Sequence, residues 1–89
     1  MEIEKRMKFL EDVLKEEGII ERKGNEIYLR GEIYLRDFEQ HSTDTKVLYI
    51  KVLEYECQRA SEEKWSEYLK KFGEPLDKNL KFLEEKYGV

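Results

Sequence analysis

The sequence has few of the residues that build covalent cross-links, metal sites or phosphate-binding loops. It contains one cysteine, Cys57, and one histidine, His41, among 89 residues. A single cysteine excludes an internal disulfide and fits a reducing compartment, and the two residues supply too few ligands for a zinc site. The glycines are too widely spaced for a phosphate loop. We therefore expect no metal and no cofactor.

Long apolar runs are also missing, and the charge balance is acidic. No segment approaches the roughly 18 apolar residues of a membrane span, so we expect a cytoplasmic protein that does not enter a membrane. The net charge of −4 argues against a protein that coats duplex DNA by bulk charge. Asparagine and glutamine are scarce beside glutamate and lysine, a composition that is typical of thermophile proteins.

The apolar residues that are present fall into periodic blocks, although 43% of the chain is charged. Periodic blocks can form a core, so we expect a folded chain, and its length fits a single domain over residues 1–89. Residues 2–17 carry an apolar stripe at helical spacing that ends at Gly18. A second helix is predicted from Ser61 to Gly73, and a third from Pro75 to Gly88.

The pentapeptide Glu-Ile-Tyr-Leu-Arg occurs twice, over residues 26–30 and 32–36, with Gly31 between the copies. A six-residue repeat preserves side-chain parity in an extended chain but not in a helix, so it predicts strand. The aliphatic positions expected to face the core are Ile27, Leu29, Ile33 and Leu35. Gly31 is compatible with a bulge, a bend or a break into two strands. A turn at residues 23–25 predicts a hairpin before the repeat.

Residues 46–56 carry apolar side chains on both strand parities. This pattern fits a central strand that is covered on both faces, and it also fits a buried helix. We favour the strand, with residues 40–45 as the turn of a long hairpin. The predicted fold is therefore α+β: an N-terminal helix, an antiparallel sheet of three to four strands, and two C-terminal helices.

Candidate catalytic residues have little support. His41, Ser42 and Asp44 are close in sequence, but neighbouring turn residues rarely hold a nucleophile and a base in productive geometry. Cys57 is interpreted as a packed thiol. The many carboxylate pairs are expected by chance in so acidic a chain. We predict no catalytic residue and no enzyme activity.

An aromatic and cationic surface is the main candidate site. If residues 46–56 form a strand, one sheet face carries the predicted partner-binding residues, because matched strand parity places side chains on one face. These residues are Tyr28, Arg30, Tyr34, Arg36, Phe38, Tyr49, Lys51 and Tyr55. Three interpretations stay open: a core covered by the C-terminal helices, an interface with a protein partner or a second copy, and a platform that stacks single-stranded nucleic acid.

The segment from Leu14 to Leu29, centred on residues 16–25, resembles the end of a recognition helix and the wing hairpin of winged-helix regulators. Such domains place two further helices before the hairpin, and the 17 residues before Gly18 cannot supply them. The resemblance is interpreted as local hairpin chemistry. The expected function is that of a small regulatory or adaptor protein acting by protein–protein interaction, and the alternative is nucleic-acid binding, including a divergent winged-helix-like regulator.

Overall fold

The computed structural model describes residues 2–76, which form a helix, an antiparallel sheet and two further helices. In chain order the elements are α1 (Glu2–Glu16), β1 (Ile20–Lys23), β2 (Glu26–Leu29), β3 (Glu32–Arg36), a 3-10 turn (Phe38–Gln40), α2 (Thr43–Ala60) and α3 (Glu62–Phe72). The strands pair in the order β1-β2-β3. The α+β prediction is confirmed, with three strands among the described residues.

Helix α1 has the apolar stripe that the sequence predicts. Leu10 and Leu14 are fully buried, and acidic residues in the first turn interact favourably with the helix dipole. The helix ends at Gly18, whose φ of 74° lies in the left-handed region. There the Gly18 amide donates to the Lys15 carbonyl, and the Ile19 amide donates to the Leu14 carbonyl at 2.9 Å. Glycine closes the helix because it adopts this φ without steric cost.

The two copies of the repeat form separate strands, because the chain reverses at Arg30 and Gly31. Both residues have positive φ, 52° and 86°, which is the signature of a two-residue type I′ hairpin turn. The reversal pairs Ile33 with Tyr28, on the face away from the core. The prediction that Ile33 faces the core is therefore wrong, and its side chain is 40% exposed.

A β-bulge returns the end of β3 to the core face. Ile27 pairs with Leu35 while the next residue of β2 pairs with Ile33, so Tyr34 is the extra residue of β3. Ile27 is 1% exposed, and Tyr34 and Leu35 are half-buried against the core. Of the four residues predicted to face the core, Ile27, Leu29 and Leu35 do so, and Ile33 does not.

Residues 46–56 form a helix, so the predicted central strand and its long hairpin are wrong. The Ser42 hydroxyl caps α2 by accepting the Thr45 amide at 3.3 Å, and the helix continues to Ala60. Most side chains from 49 to 57 are buried. A helix that is covered on most of its circumference is apolar on both strand parities, and this is why the pattern resembled a central strand.

Helix α3 confirms the predicted helix that starts after Ser61. The Ser61 hydroxyl accepts the Lys64 amide at 3.2 Å, and Gly73 ends the helix with a φ of 81°. The predicted third helix, to Gly88, falls almost entirely on residues 77–89 and lies outside the described residues. Within residues 2–76, no helix has the length and apolarity needed to cross a bilayer.

A buried acid–base network joins α1, α2 and α3. Glu54 is fully buried, and its Oε2 accepts the Tyr68 hydroxyl at 2.5 Å and the Leu76 amide at 2.9 Å. Arg6, 5% exposed, lies 3.5 Å from the same oxygen and donates to the Tyr68 hydroxyl at 3.0 Å. Arg6 also donates to the Phe72 and Glu74 carbonyls. A buried carboxylate with these partners fixes three helices and the segment after α3 relative to one another.

A second network ties the sheet to α1 and α2. The Tyr49 hydroxyl and the Arg22 guanidinium both donate to Glu11 Oε1, each at 2.8 Å. Glu11 and Tyr49 are 6% and 1% exposed, so the bond between them forms away from solvent, while the bond from Arg22 is partly buried. Burial and the neighbouring Glu11 carboxylate raise the pKa of Tyr49, and burial and Glu54 likewise raise the pKa of Tyr68.

Removing the Tyr68 hydroxyl should destabilise the fold. Tyr68→Phe removes the hydroxyl that donates to Glu54 and accepts from Arg6, so each of them loses one buried hydrogen bond, and we expect a loss of about 1–3 kcal/mol of unfolding free energy. Urea unfolding followed by circular dichroism measures the loss. Tyr28→Phe is the matched control, because its hydroxyl donates to the half-buried Glu26 on the outer side of the sheet. Equal effects of the two substitutions would contradict a special role for the buried network.

Stability should fall at alkaline pH because the pKa values of Tyr49 and Tyr68 are raised in the folded protein. The unfolded phenols lose protons from about pH 10, while the folded ones keep theirs. The unfolded chain then binds fewer protons, so the stability present below about pH 10 is lost as the pH rises above it. Thermal unfolding at pH values from about 9 to about 11 measures the slope, which Tyr68→Phe should reduce. An unchanged slope in that variant would exclude this assignment.

Candidate functional site

The structure does not place the eight predicted partner-binding residues on one face, because residues 46–56 are not a strand. Phe38 and Tyr49 are core residues, 2% and 1% exposed. Their rings meet edge to face with centroids 5.1 Å apart. Cations of Arg22 and Lys46 lie 5.0 and 5.4 Å from the Phe38 ring centroid. Phe38 and Tyr49 therefore support the fold, and their buried rings cannot stack nucleic-acid bases.

Tyr28 and Arg36 lie on the outer side of the sheet. The Arg36 guanidinium pairs with Glu26 at 3.4 Å, and the Tyr28 hydroxyl donates to the same carboxylate at 3.2 Å. Lys23 lies 5.2 Å from the Tyr28 ring centroid. Ile33 is the exposed apolar residue beside them. This surface is a mixed polar face whose charges are largely matched with one another.

Arg30, Tyr34 and Tyr55 come together at a groove between the β2–β3 turn and the C-terminal half of α2, while Lys51 lies half-buried on the same helix. We call this site the Arg30 groove. Its lining consists of Leu29, Arg30, Glu32, Val52, Tyr55, Glu56 and Arg59, around a volume of about 330 Å³. Tyr34 packs against Val52 and Tyr55 beneath the groove. Three of the predicted residues thus share one site, on a helix and a turn.

Arg30 holds an unusual backbone position in this groove. Its φ of 52° is one that arginine disfavours by about 1 kcal/mol and that Asn, Asp or Gly would adopt more easily. Its guanidinium Nη2 donates to Glu56 Oε2 at 2.6 Å. The Arg30 side chain is 56% exposed, whereas that of Glu56 is 10% exposed. A buried carboxylate on α2 therefore orients an exposed cation on the turn.

Arg59 is the second cation of the groove. Its Nη1 donates to the Tyr55 hydroxyl at 3.1 Å, and its guanidinium carbon lies 5.4 Å from the Tyr55 ring centroid. Tyr55 is 4% exposed and is held by Val52 and the side chains beneath it. Helical spacing of three and four residues brings Tyr55 and Arg59 to the same side of α2. The buried tyrosine thus positions the exposed arginine.

The groove combines two cations with two acids, and only one opposite-charge contact joins them. Arg30 pairs with Glu56, while neither Arg59 nor Glu32 forms an ion pair with any residue of the described part of the chain. The floor includes apolar atoms of Leu29 and Val52. Such a surface can bind a group that is partly apolar and that accepts hydrogen bonds from guanidinium donors.

A larger cleft of about 460 Å³ lies at the other end of α2, lined by Ile3, Glu4, Met7, Phe38, Glu39, Thr43 and Lys46. Its cation, Lys46, already lies over the Phe38 ring, and its acids are exposed. Among residues 2–76, the structure shows no buried carboxylate that pairs with Lys46 in this cleft as Glu56 pairs with Arg30. The Arg30 groove is therefore the better defined site.

Of the residues considered for catalysis, Ser42, His41 and Cys57 have structural roles. The Ser42 hydroxyl caps α2, and the His41 ring Nε2 lies 2.7 Å from the Arg36 carbonyl oxygen. Cys57 is fully buried, and burial together with the nearby Glu54 charge raises its pKa to about 11. In residues 2–76 no cluster of three His, Cys, Asp or Glu side chains could hold a metal ion.

Sequence reasoning missed Glu56 and Arg59 as members of the site. The signal that could have found them is the spacing of residues 52, 55, 56 and 59. These four positions lie on one side of a helix but on both faces of a strand. The strand interpretation of residues 46–56 hid this spacing. Arg30 was predicted, but as one of several residues on a continuous strand.

Comparisons with protein-family models, with curated proteins and with solved structures found no match. Function is therefore inferred from the geometry of this chain alone.

The Cys57 thiol should be unreactive in the folded protein. Its pKa rises from 9.0 to about 11, which lowers the thiolate fraction at neutral pH about a hundredfold, and its side chain has no exposed surface. We expect Ellman's reagent to react slowly in native buffer and fully in concentrated guanidinium chloride. Rapid reaction in native buffer would show that the α2 core opens readily.

Proposed function

We propose that the chain is a small non-enzymatic adaptor or regulatory protein that binds a protein partner, or a second copy of itself, through the Arg30 groove. The observation that carries the proposal is the Arg30 side chain, oriented by Glu56 from a backbone position that favours other residues. An unfavourable φ for a non-glycine residue points to a role for its side chain. The role here is to present a cation at the groove.

The residue types at the groove support a protein partner. Tyrosine and arginine are enriched among the residues that dominate binding energy at protein interfaces. Tyr55 and Glu56 hold the two arginines by hydrogen bonds in the free protein. Side chains that are already oriented lose less conformational entropy on binding, and this favours affinity.

Site-specific photo-crosslinking tests the proposal. A photoreactive amino acid at Glu32, on the groove, should yield a defined protein adduct in cells, whereas the same group at the exposed Lys8 on α1 should not. Mass spectrometry identifies the adduct, and an adduct of twice the chain mass indicates self-association. Equal yields at the two positions would contradict a binding site at the groove.

A double substitution should separate binding from stability. Arg30→Asn supplies a residue suited to positive φ, and Glu56→Gln removes the buried charge that would otherwise lose its partner. We expect an unfolding free energy within about 1 kcal/mol of the original chain and a reduction of the Glu32 adduct by about tenfold. Urea unfolding and adduct yield are the two measurements. An unchanged yield would remove Arg30 from the binding site.

A further inference from the structure

We infer that the Arg30 groove binds a carboxylate of its partner, an Asp or Glu side chain next to an apolar residue in a protein segment. This inference rests on the proposed function and names the chemistry of the partner. The groove has two guanidinium groups whose hydrogen-bonding capacity is only partly used. Arg30 donates from Nη2 to Glu56, and Arg59 donates from Nη1 to the Tyr55 hydroxyl.

The remaining donors are accessible. A guanidinium has five N–H donors and prefers to bind a carboxylate through two parallel bonds. The Arg30 side chain is 56% exposed, and Arg59 is exposed on the last turn of α2. Arg59 contacts no carboxylate within the described residues. The groove therefore presents oriented donors without a matching acceptor at Arg59.

The charges of the lining select a single carboxylate over a dianion. The two arginines and two glutamates of the lining cancel in net charge, but only Arg30 and Glu56 are paired, so Arg59 is the cation whose remaining donors can meet one carboxylate. Glu32, also in the lining, repels bound negative charge, and this repulsion is larger for a dianion than for a single carboxylate. A phosphate carries close to two charges at neutral pH, which this lining does not compensate.

The shape of the groove fits a short segment of a protein. A volume of about 330 Å³ is at the lower end of ligand sites, room for one or two side chains. Leu29 and Val52 supply an apolar surface beside the arginines. An acidic residue beside an apolar one would use both parts of the lining.

Two matched peptides test this inference. The probes are acetyl-Leu-Gln-Tyr-Glu-Leu-amide, which has one carboxylate, and the same peptide with glutamine in place of its glutamate, each added to the isotope-labelled full chain and followed by amide chemical shifts. We expect shifts at Gly31 and at residues 55–59, with affinity about tenfold lower for the glutamine peptide. Inorganic phosphate is the third probe and should bind more weakly than the glutamate peptide.

Variants that remove one positive or one negative charge separate the effect of the groove from that of net charge. Arg59→Gln should weaken binding of the glutamate peptide about tenfold, whereas Glu32→Gln should strengthen it, since one removes a donor and the other a repulsion. Lys8→Gln makes the same change in net charge as Arg59→Gln at an exposed site on α1 and should have little effect.

The inference is overturned if neither peptide binds, if both bind equally, if phosphate binds more tightly, or if Lys8→Gln weakens binding as much as Arg59→Gln. The proposed function fails separately. A Glu32 photo-adduct that persists in Arg59→Gln would keep the groove as a protein-binding site and exclude recognition of a carboxylate. If the unsubstituted chain gives no adduct at Glu32 beyond the adduct at Lys8, the proposed function itself is excluded.

Discussion

The buried carboxylate of Glu54 constrains how the helices pack, because α1, α3 and the segment after α3 all contact it. A carboxylate without solvent must have donors around it, and here they come from Arg6 on α1, Tyr68 on α3 and the backbone of Leu76. Each donor belongs to a different part of the chain. The three helices must therefore pack so that these donors meet the Glu54 carboxylate. An apolar core alone would specify the packing of the helices less strictly.

Helix α2 links this constraint to the candidate site. One side of the helix carries Glu54 and the fully buried Leu53 and Cys57, while the neighbouring side carries Tyr55 and Glu56 at the Arg30 groove. The network that fixes the helix also fixes the direction in which the groove residues point. Oriented arginines on a rigid helix and a tight turn are suited to binding a partner with little rearrangement.

The predicted elements succeeded where one local signal dominated. Helix α1 has an apolar stripe and a terminal glycine, and α3 begins at a serine cap and ends at Gly73. Helix α2 was not predicted, because a helix that is buried on most sides has no separate apolar stripe. In addition, its Ser42 cap lies in a polar segment that also resembles a turn. Arg30, Tyr34 and Tyr55 were foreseen as candidate site residues, whereas the contribution of Glu56 and Arg59 depended on the helix.

Side-chain periodicity and glycine positions within a few residues were enough to predict the α+β class, the first and third helices, and the extended conformation of the repeat. Three features became apparent only in the folded chain: it reverses at Arg30, residues 43–60 are helical, and Glu54 is buried. These features depend on contacts between distant residues, such as Arg6 with Glu54 and Arg30 with Glu56. The periodicity of neighbouring side chains does not indicate which distant residue will pair with a buried charge.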